Sequence, residues 1–272
     1  MRAIAHLSDL HFGRHDPAKA DALLESLAHI GPDIVAVSGD LTQRAKGREF
    51  EAARKFLDAI AQPKLVVPGN HDVPLFNLFK RWRKAFTHYD RHIAPASLPG
   101  GLFADDEIAL LGINTARRLT WKNGRISYEQ MGRIQATLGP LPDNVWKILV
   151  THHPLAFAEG QSSVSLAGRS EPALRSIEQA GVHVLLSGHH HHPASGAVDA
   201  ELIDHEALLV IHAGTAISTR TRDSHENSYN LIQTNGDRLT VKVMEWSASC
   251  DYREASSTVF ERAGPRIVRK AD

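Results

Sequence analysis

The chain is poor in cysteine and carries no excess of charge, and each shortage excludes a class of protein. Cys250 is the only cysteine among 272 residues, so an intramolecular disulfide cannot form and the chain suits a reducing compartment. The 31 basic and 31 acidic side chains cancel, which leaves no net charge to hold a polyanion. We therefore expect no extended nucleic acid as a partner.

Long hydrophobic runs are also missing. No stretch reaches the roughly 18 apolar residues that a transmembrane helix needs. The apolar part of the opening segment, MRAIAHLSDLHFG, is too short for a signal peptide. The sequence therefore predicts a cytoplasmic protein that does not enter a membrane.

No linker rich in glycine, serine or proline divides the chain. We predict one domain over residues 1–246. The polar segment 247–272 is set apart as a C-terminal tail of unknown role.

Histidine, in contrast, is abundant: 17 residues are histidine, more than an average globular protein carries. Many of them lie in five short polar runs, which in chain order are SDLH, SGD, GNHD, THHP and GHHHH. Each run follows an apolar stretch rich in Val, Ile or Leu, with only Pro68 between the third run and its stretch. Such stretches predict buried parallel strands, so the polar runs lie at strand ends.

Ligands gather in the crevice outside the carboxyl ends of parallel strands, so we expect the five runs to meet in one pocket. Their imidazole, carboxylate and amide groups suit Zn, Mn or Fe, and the lack of thiolate argues against copper or an iron–sulfur cluster. In GHHHH, strand-like alternation would direct His189 and His191 to one side. The pattern predicts a site for two adjacent metal ions, with nine candidate residues: Asp9, His11, Asp40, Asn70, His71, Asp72, His152, His189 and His191.

Strands and helices alternate along most of the chain, which predicts an α/β fold with right-handed crossovers. The predicted helices begin at Asp16-Pro17 and cover 47–61, 128–138 and 172–180, and the predicted strands cover 4–7, 34–37, 65–67, 108–113, 147–150, 182–186, 208–212, 229–233 and 239–245. Two half-sheets packed face to face, with helices outside, would account for the pattern. The segment 74–89 is amphipathic and is interpreted as a helix on the core, with a lid over the pocket as the alternative.

The ordered motifs D-x-H, GD, GNH[ED], H and GHxH together resemble those of the calcineurin-like metallophosphoesterase superfamily. The resemblance spans residues 9–191, and every motif position is filled. The SDLH and GNHD runs, with Asn114 and Thr115, look most like the class III cyclic nucleotide phosphodiesterases and their glycerophosphodiesterase relatives.

This resemblance implies a four-layer αββα sandwich of two mixed β-sheets flanked by helices. It also implies a role for each motif residue. Asp9, His11 and His191 would hold one metal ion. Asn70, His152 and His189 would hold the other, and Asp40 would bridge the two. His71 would stand beside the substrate phosphate, with Asp72 orienting it.

The implied activity is that of a dinuclear phosphodiesterase. Two Mn, Fe or Zn ions lower the pKa of a shared water, and the bridging hydroxide attacks phosphorus in line. A small soluble diester is the expected substrate, with a 3',5'-cyclic nucleotide as one candidate. The same centre also fits a phosphomonoesterase or a nucleotide-sugar pyrophosphatase, and less well a nuclease. A non-catalytic protein scaffold is a further alternative, and a homodimer is expected because family members often pair.

Overall fold

The computed structural model describes residues 1–74, 85–118, 122–158, 165–197, 208–219, 226–264 and 266–270. Thirteen strands in these residues form two mixed sheets. Five α-helices of six residues or more accompany them: α1 (Pro17–Ile30), α2 (Gly47–Ala59), α3 (Thr87–His92), α4 (Tyr128–Leu138) and α5 (Ser170–Gln179).

The first sheet has seven strands: β1 (Arg2–Leu7), β2 (Ile34–Val37), β3 (Lys64–Val66), β10 (Ser228–Asn235), β11 (Arg238–Trp246), β12 (Tyr252–Ala263) and β13 (Arg266–Arg269). Their order is β13-β12-β11-β10-β1-β2-β3. β1, β2 and β3 run parallel, since helices connect them, whereas β10 to β13 form an antiparallel meander. β1 joins the two parts by pairing antiparallel with β10.

The second sheet has six strands: β4 (Leu102–Ala104), β5 (Ile108–Gly112), β6 (Trp146–Val150), β7 (Val184–Ser187), β8 (Ala194–Ala197) and β9 (Leu209–His212). Their order is β4-β5-β6-β7-β9-β8. β5, β6, β7 and β9 are parallel, and the two edge strands are antiparallel. The parallel strands of both sheets are almost wholly buried, which explains why they are continuous apolar runs.

Alternation along the strands divides the core into three layers. Ile4 and Ile34 of the first sheet face Ile148 and Ile211 of the second in a central apolar layer. The opposite face of the first sheet packs on α1 and α2, and that of the second packs on α4 and α5. The order helix, sheet, sheet, helix confirms the predicted αββα sandwich.

Local signals mark where several elements begin and end, and α1 begins at Asp16-Pro17 as predicted. The Asp16 side chain accepts a hydrogen bond from the Ala18 amide, Pro17 opens α1, and Gly31 ends it with a left-handed backbone. The Asn235-Gly236 turn joins β10 to β11, with Gly236 at a φ of 58°.

The chain continues within the first sheet beyond residue 246. β12 pairs with β11 over most of its length and β13 pairs with β12, so the segment expected to be a tail contributes two strands. The amphipathic segment 74–89 falls mostly on residues 75–84, which lie outside the described residues. Among the residues that are described, no helix has both the length and the apolar character needed to cross a bilayer.

Candidate metal centre

Seven of the candidate residues converge at one end of the sandwich, in the loops that follow five strands. Asp9 and His11 follow β1, and Asp40 follows β2. Asn70 comes after β3 and His152 after β6, whereas His189 and His191 come after β7. All five strands end at this edge, because β1, β2 and β3 are parallel to one another, as are β6 and β7. The two sheets thus bring residues up to 182 positions apart in sequence, from Asp9 to His191, into one cluster.

Three candidate donors, Asp9, His11 and His191, form a first cluster, which is called the first ligand set. The Nε2 atoms of His11 and His191 lie 3.7 and 3.6 Å from Asp9 Oδ1. The two rings are nearly parallel, with 5.3 Å between their centroids. Three donor atoms within 4.8 Å of one another can hold one ion.

Three further candidate donors, Asn70, His152 and His189, form a second cluster, which is called the second ligand set. His152 Nε2 lies 3.2 Å from Asn70 Oδ1 and 3.3 Å from His189 Nδ1. Asp40 stands between the sets, with Oδ1 3.4 Å from His152 Nε2 and Oδ2 3.9 Å from His11 Nε2. One carboxylate oxygen therefore faces each set, which places Asp40 where it can bridge two ions.

The donors fit two hard or borderline cations. Asp9 Oδ1 and His11 Nε2 are buried, and neither has a hydrogen-bond partner. Buried polar atoms without partners cost free energy, and a cation coordinated by both atoms removes that cost. Nitrogen and oxygen donors suit Mn, Fe or Zn.

The backbone is strained at five of the seven positions. Asp9, His11, Asp40, His189 and His191 all have positive φ, between 49° and 74°. This region is unfavourable for residues with a Cβ, and such strain collects at functional sites. The strand-like alternation expected for GHHHH is therefore wrong, because this run is a bend and not a strand. His189 and His191 both point inward because each has a left-handed backbone conformation.

Burial or neighbouring charges favour the ligand protonation state at Asp40, His11 and His189, whereas the pKa of His152 is raised to about 9, because the Asp40 carboxylate outweighs the effect of burial there. Burial alone would raise the pKa of Asp40, but the neighbouring His152 and His71 rings hold it well below the usual range. Burial lowers the pKa of His11 to about 4, and burial with the His152 ring lowers that of His189. Asp40 is thus anionic while these two imidazoles are neutral, as metal ligation requires.

His71 adjoins the first ligand set and the Asp40 carboxylate without belonging to either ligand set. Its backbone amide donates to Asp40 Oδ1 at 2.8 Å, and its ring meets the His11 ring edge-on at 4.9 Å. His71 Nδ1 lies 2.8 Å from the Gln43 carbonyl. A carbonyl only accepts, so Nδ1 carries a proton and Nε2 is left for other chemistry.

Asp72 connects two loops through hydrogen bonds to its carboxylate. Its carboxylate accepts hydrogen bonds from the backbone amides of Leu41, Thr42 and Gly69 and from the Thr42 hydroxyl. Burial and the nearby Asp40 charge raise its pKa to about 6. This corrects the expectation that Asp72 orients the His71 ring, because the Gln43 carbonyl holds that ring and Asp72 holds the loop.

Further groups orient the ligand rings, and sequence reasoning missed them. The Ser38 carbonyl lies 2.7 Å from His152 Nδ1, and the Thr42 carbonyl lies 3.4 Å from His11 Nδ1. The Thr215 hydroxyl lies 2.5 Å from His191 Nδ1. Main-chain carbonyls leave no mark in a sequence, since every residue has one. Only Thr215 carries a side-chain signal, and it lies outside the five runs.

Gly69 is required for close approach to Asp40. A Cβ on Gly69 would overlap the Asp40 carboxylate and amide. We expect Gly69→Ala to displace the bridging carboxylate and weaken metal binding by about 10-fold or more, a loss typical of disturbed outer-shell contacts. The effect is followed by two measurements, the metal content determined by mass spectrometry and the rate of turnover.

The matched control is Gly132→Ala, on α4, where an added Cβ meets nothing within 4 Å. That variant should keep full activity and gain about 0.5–1 kcal/mol of stability, because alanine favours helix over glycine. If Gly69→Ala bound both ions as tightly as the unmodified protein, the packing argument would be wrong.

Comparison with known proteins agrees with this geometry. The sequence profile of the calcineurin-like phosphoesterases matches residues 2–193. A glycerophosphodiester phosphodiesterase, GpdQ of Enterobacter lignolyticus, is 27% identical over 206 residues, which are 69% of this chain and 70% of that protein. A probable cyclic nucleotide phosphodiesterase of Synechococcus is 22% identical over 200 residues, 70% of this chain and 73% of that one.

Solved structures show the same fold. A dimetal phosphatase from Danio rerio superposes with a TM-score of 0.66 at 14% identity, covering 90% of this chain and 96% of its own. GAP50, the anchor in the inner membrane complex of Plasmodium, superposes with a TM-score of 0.61 at 13% identity. The match covers 94% of this chain and 87% of GAP50. The profile match spans more than half of the sequence, and two ligand sets lie within it. The chain belongs to the calcineurin-like phosphoesterase family and is a metal-dependent phosphoester hydrolase.

Proposed function

We propose that this protein is a phosphodiesterase that hydrolyses a small soluble diester, with 3',5'-cyclic nucleotides and glycerophosphodiesters as the first candidates. The observation that carries the proposal is the position of Asp40 between the two ligand sets, with the His71 amide bound to the same carboxylate. The names of the two relatives, a glycerophosphodiester phosphodiesterase and a probable cyclic nucleotide phosphodiesterase, support the choice of a diester.

Different residues of the site would have different roles in ester cleavage. Two ions held here would supply an acidic water and neutralise charge on the phosphoryl oxygens. Asp9, His11 and His191 would hold the first ion. Asn70, His152 and His189 would hold the second, and the anionic Asp40 would keep the pair together. His71 stands beside this cluster and, with Nδ1 held by Gln43, either gives a proton from Nε2 to the departing oxygen or stabilises charge on the phosphate.

The alternatives fit less well. A nuclease favours a basic track for its polyanionic substrate, and this chain has no net charge. A scaffold role has a structural precedent in the fold, since one neighbour, GAP50, is named an anchor. A scaffold, however, has no use for a full set of ligands, and here all seven candidate donors meet, five of them at positions with a strained backbone. Experiment is needed to distinguish a phosphomonoesterase or a nucleotide-sugar pyrophosphatase from a phosphodiesterase.

Substrate preference tests the proposal. With Mn²⁺ added, we expect kcat/KM for bis-p-nitrophenyl phosphate to exceed that for p-nitrophenyl phosphate by about 10-fold, which corresponds to about 1.4 kcal/mol of transition-state stabilisation. A chelator should abolish both activities. Equal rates, or faster hydrolysis of the monoester, would contradict the phosphodiesterase assignment. A panel of cyclic nucleotides, glycerophosphodiesters and nucleotide sugars then identifies the natural class.

Which ions are loaded depends on their supply as well as on the ligands, because imidazole and carboxylate accept Mn, Fe and Zn alike. We propose Mn for in vitro assays, since it suits the oxygen-rich part of the set. A cytoplasmic location remains a prediction from the sequence, and a homodimer remains one from the family resemblance.

A further inference from the structure

The first ligand set has a support outside the five polar runs. His191 directs Nε2 toward Asp9, and its other ring nitrogen, Nδ1, lies 2.5 Å from the Thr215 hydroxyl. A histidine that binds a cation through Nε2 must carry its proton on Nδ1. The Thr215 oxygen is placed to accept that proton's hydrogen bond, which would set both the tautomer and the rotation of the ring.

Thr215 itself is clamped by Asn227, a fully buried residue that precedes β10. The Asn227 amide nitrogen lies 3.1 Å from the Thr215 carbonyl and 2.9 Å from the Ser218 carbonyl. The Thr215 carbonyl also accepts from the Ser228 amide at 3.0 Å. Thr215 is therefore held on its main chain by groups that belong to the first sheet.

Lys19 determines which way the Asn227 amide points. Its ammonium lies 2.5 Å from Asn227 Oδ1 and also packs over the Trp246 ring. An ammonium only donates, so the Asn227 oxygen has to face it, and the amide nitrogen then faces the two carbonyls. Every group along the path from Lys19 to His191 thus has a partner of the correct type.

We propose that Thr215 is a positioning residue for the first metal ion, and that Asn227 and Lys19 hold Thr215 in place. The proposal deepens the proposed function, because it rests on the same metal centre. Thr215 and Asn227 are both buried, so water cannot replace a hydrogen bond that is lost there. Helix α1, which bears Lys19, is coupled in this way to a ligand on the second sheet.

The test is metal binding by Thr215→Val, which removes the hydroxyl and keeps the shape. We expect the affinity for one of two Mn²⁺ ions to fall about 10–100-fold, the usual loss when a ligating histidine loses its outer partner. Equilibrium dialysis with metal analysis measures this, and electron paramagnetic resonance should show uncoupled Mn²⁺ in place of a spin-coupled pair. Thr215→Ser restores the hydroxyl and should restore both measurements.

Thr234→Val is the matched control, because Thr234 is also buried and its hydroxyl has no hydrogen-bond partner. It should bind both ions normally. If Thr215→Val is too unstable to assay, Asn227→Asp replaces it, since an aspartate keeps Lys19 as a partner but cannot donate to the Thr215 carbonyl. Asn227→Asp should likewise lower the affinity for one of the two Mn²⁺ ions.

Two results would overturn the proposal: normal binding of both ions by Thr215→Val, or a Thr215→Ser variant as weak as the valine variant. Neither result bears on the phosphodiesterase assignment, because no substrate is present. An unmodified protein that binds no Mn²⁺ in the same dialysis would instead contradict the metal centre, and with it the proposed function.

Discussion

Replacement of Asp40 by alanine is expected to remove metal and activity together. Asp40 is 1% exposed, directs one oxygen at each ligand set and is held anionic by the neighbouring imidazoles. Without it, the two sets lose their common ligand and the negative charge that offsets two cations. We expect fewer than two Mn²⁺ per chain and a fall in kcat/KM of more than about 10³-fold, since even one lost electrostatic contact costs 10²–10³-fold.

Metal analysis and turnover of Asp40→Ala should be measured on the same preparation, with circular dichroism to show that the fold is kept. The control is Asp21→Ala, because Asp21 is an exposed carboxylate on α1. That variant should match the unmodified protein in both measurements. Two ions bound to Asp40→Ala at normal affinity would show that Asp40 is not a bridge.

His71→Ala is expected to separate chemistry from metal binding. The ring belongs to neither ligand set, and the contact of His71 with Asp40 is made by its backbone amide, which alanine retains. Both ions should therefore stay bound. We expect kcat to fall by at least about 10²-fold, the usual contribution of acid–base assistance.

The leaving group distinguishes the two roles considered for His71. If His71 protonates the departing oxygen, the loss should be larger for a diester with an alcohol leaving group than for one that releases p-nitrophenol. Equal losses would favour stabilisation of charge on the phosphate. The control is His29→Ala, an exposed histidine in the last turn of α1. Unchanged kcat in His71→Ala would leave His71 with neither role.

Much of the fold was predictable because its signals are local. The buried parallel strands are apolar runs, α1 begins at Asp16-Pro17 as predicted, and the Asn235-Gly236 turn joins two strands of the antiparallel meander. Pairing beyond residue 246 was not predictable. β12 has exposed residues along much of its length, so its sequence lacks the apolar pattern that marks the inner strands.

The metal centre, like the fold, was predictable from the sequence only in part. The sequence by itself indicated nine candidate residues and their order, because each polar run comes after a strand and parallel strands end at one edge, and the family resemblance selected seven of the nine as candidate metal donors. Only the tertiary structure decided which nitrogen of each ring faces the ions, what Asp72 holds, and how Lys19 and Thr215 reach His191. These depend on main-chain carbonyls and on packing between distant segments, and neither leaves a pattern among neighbouring residues.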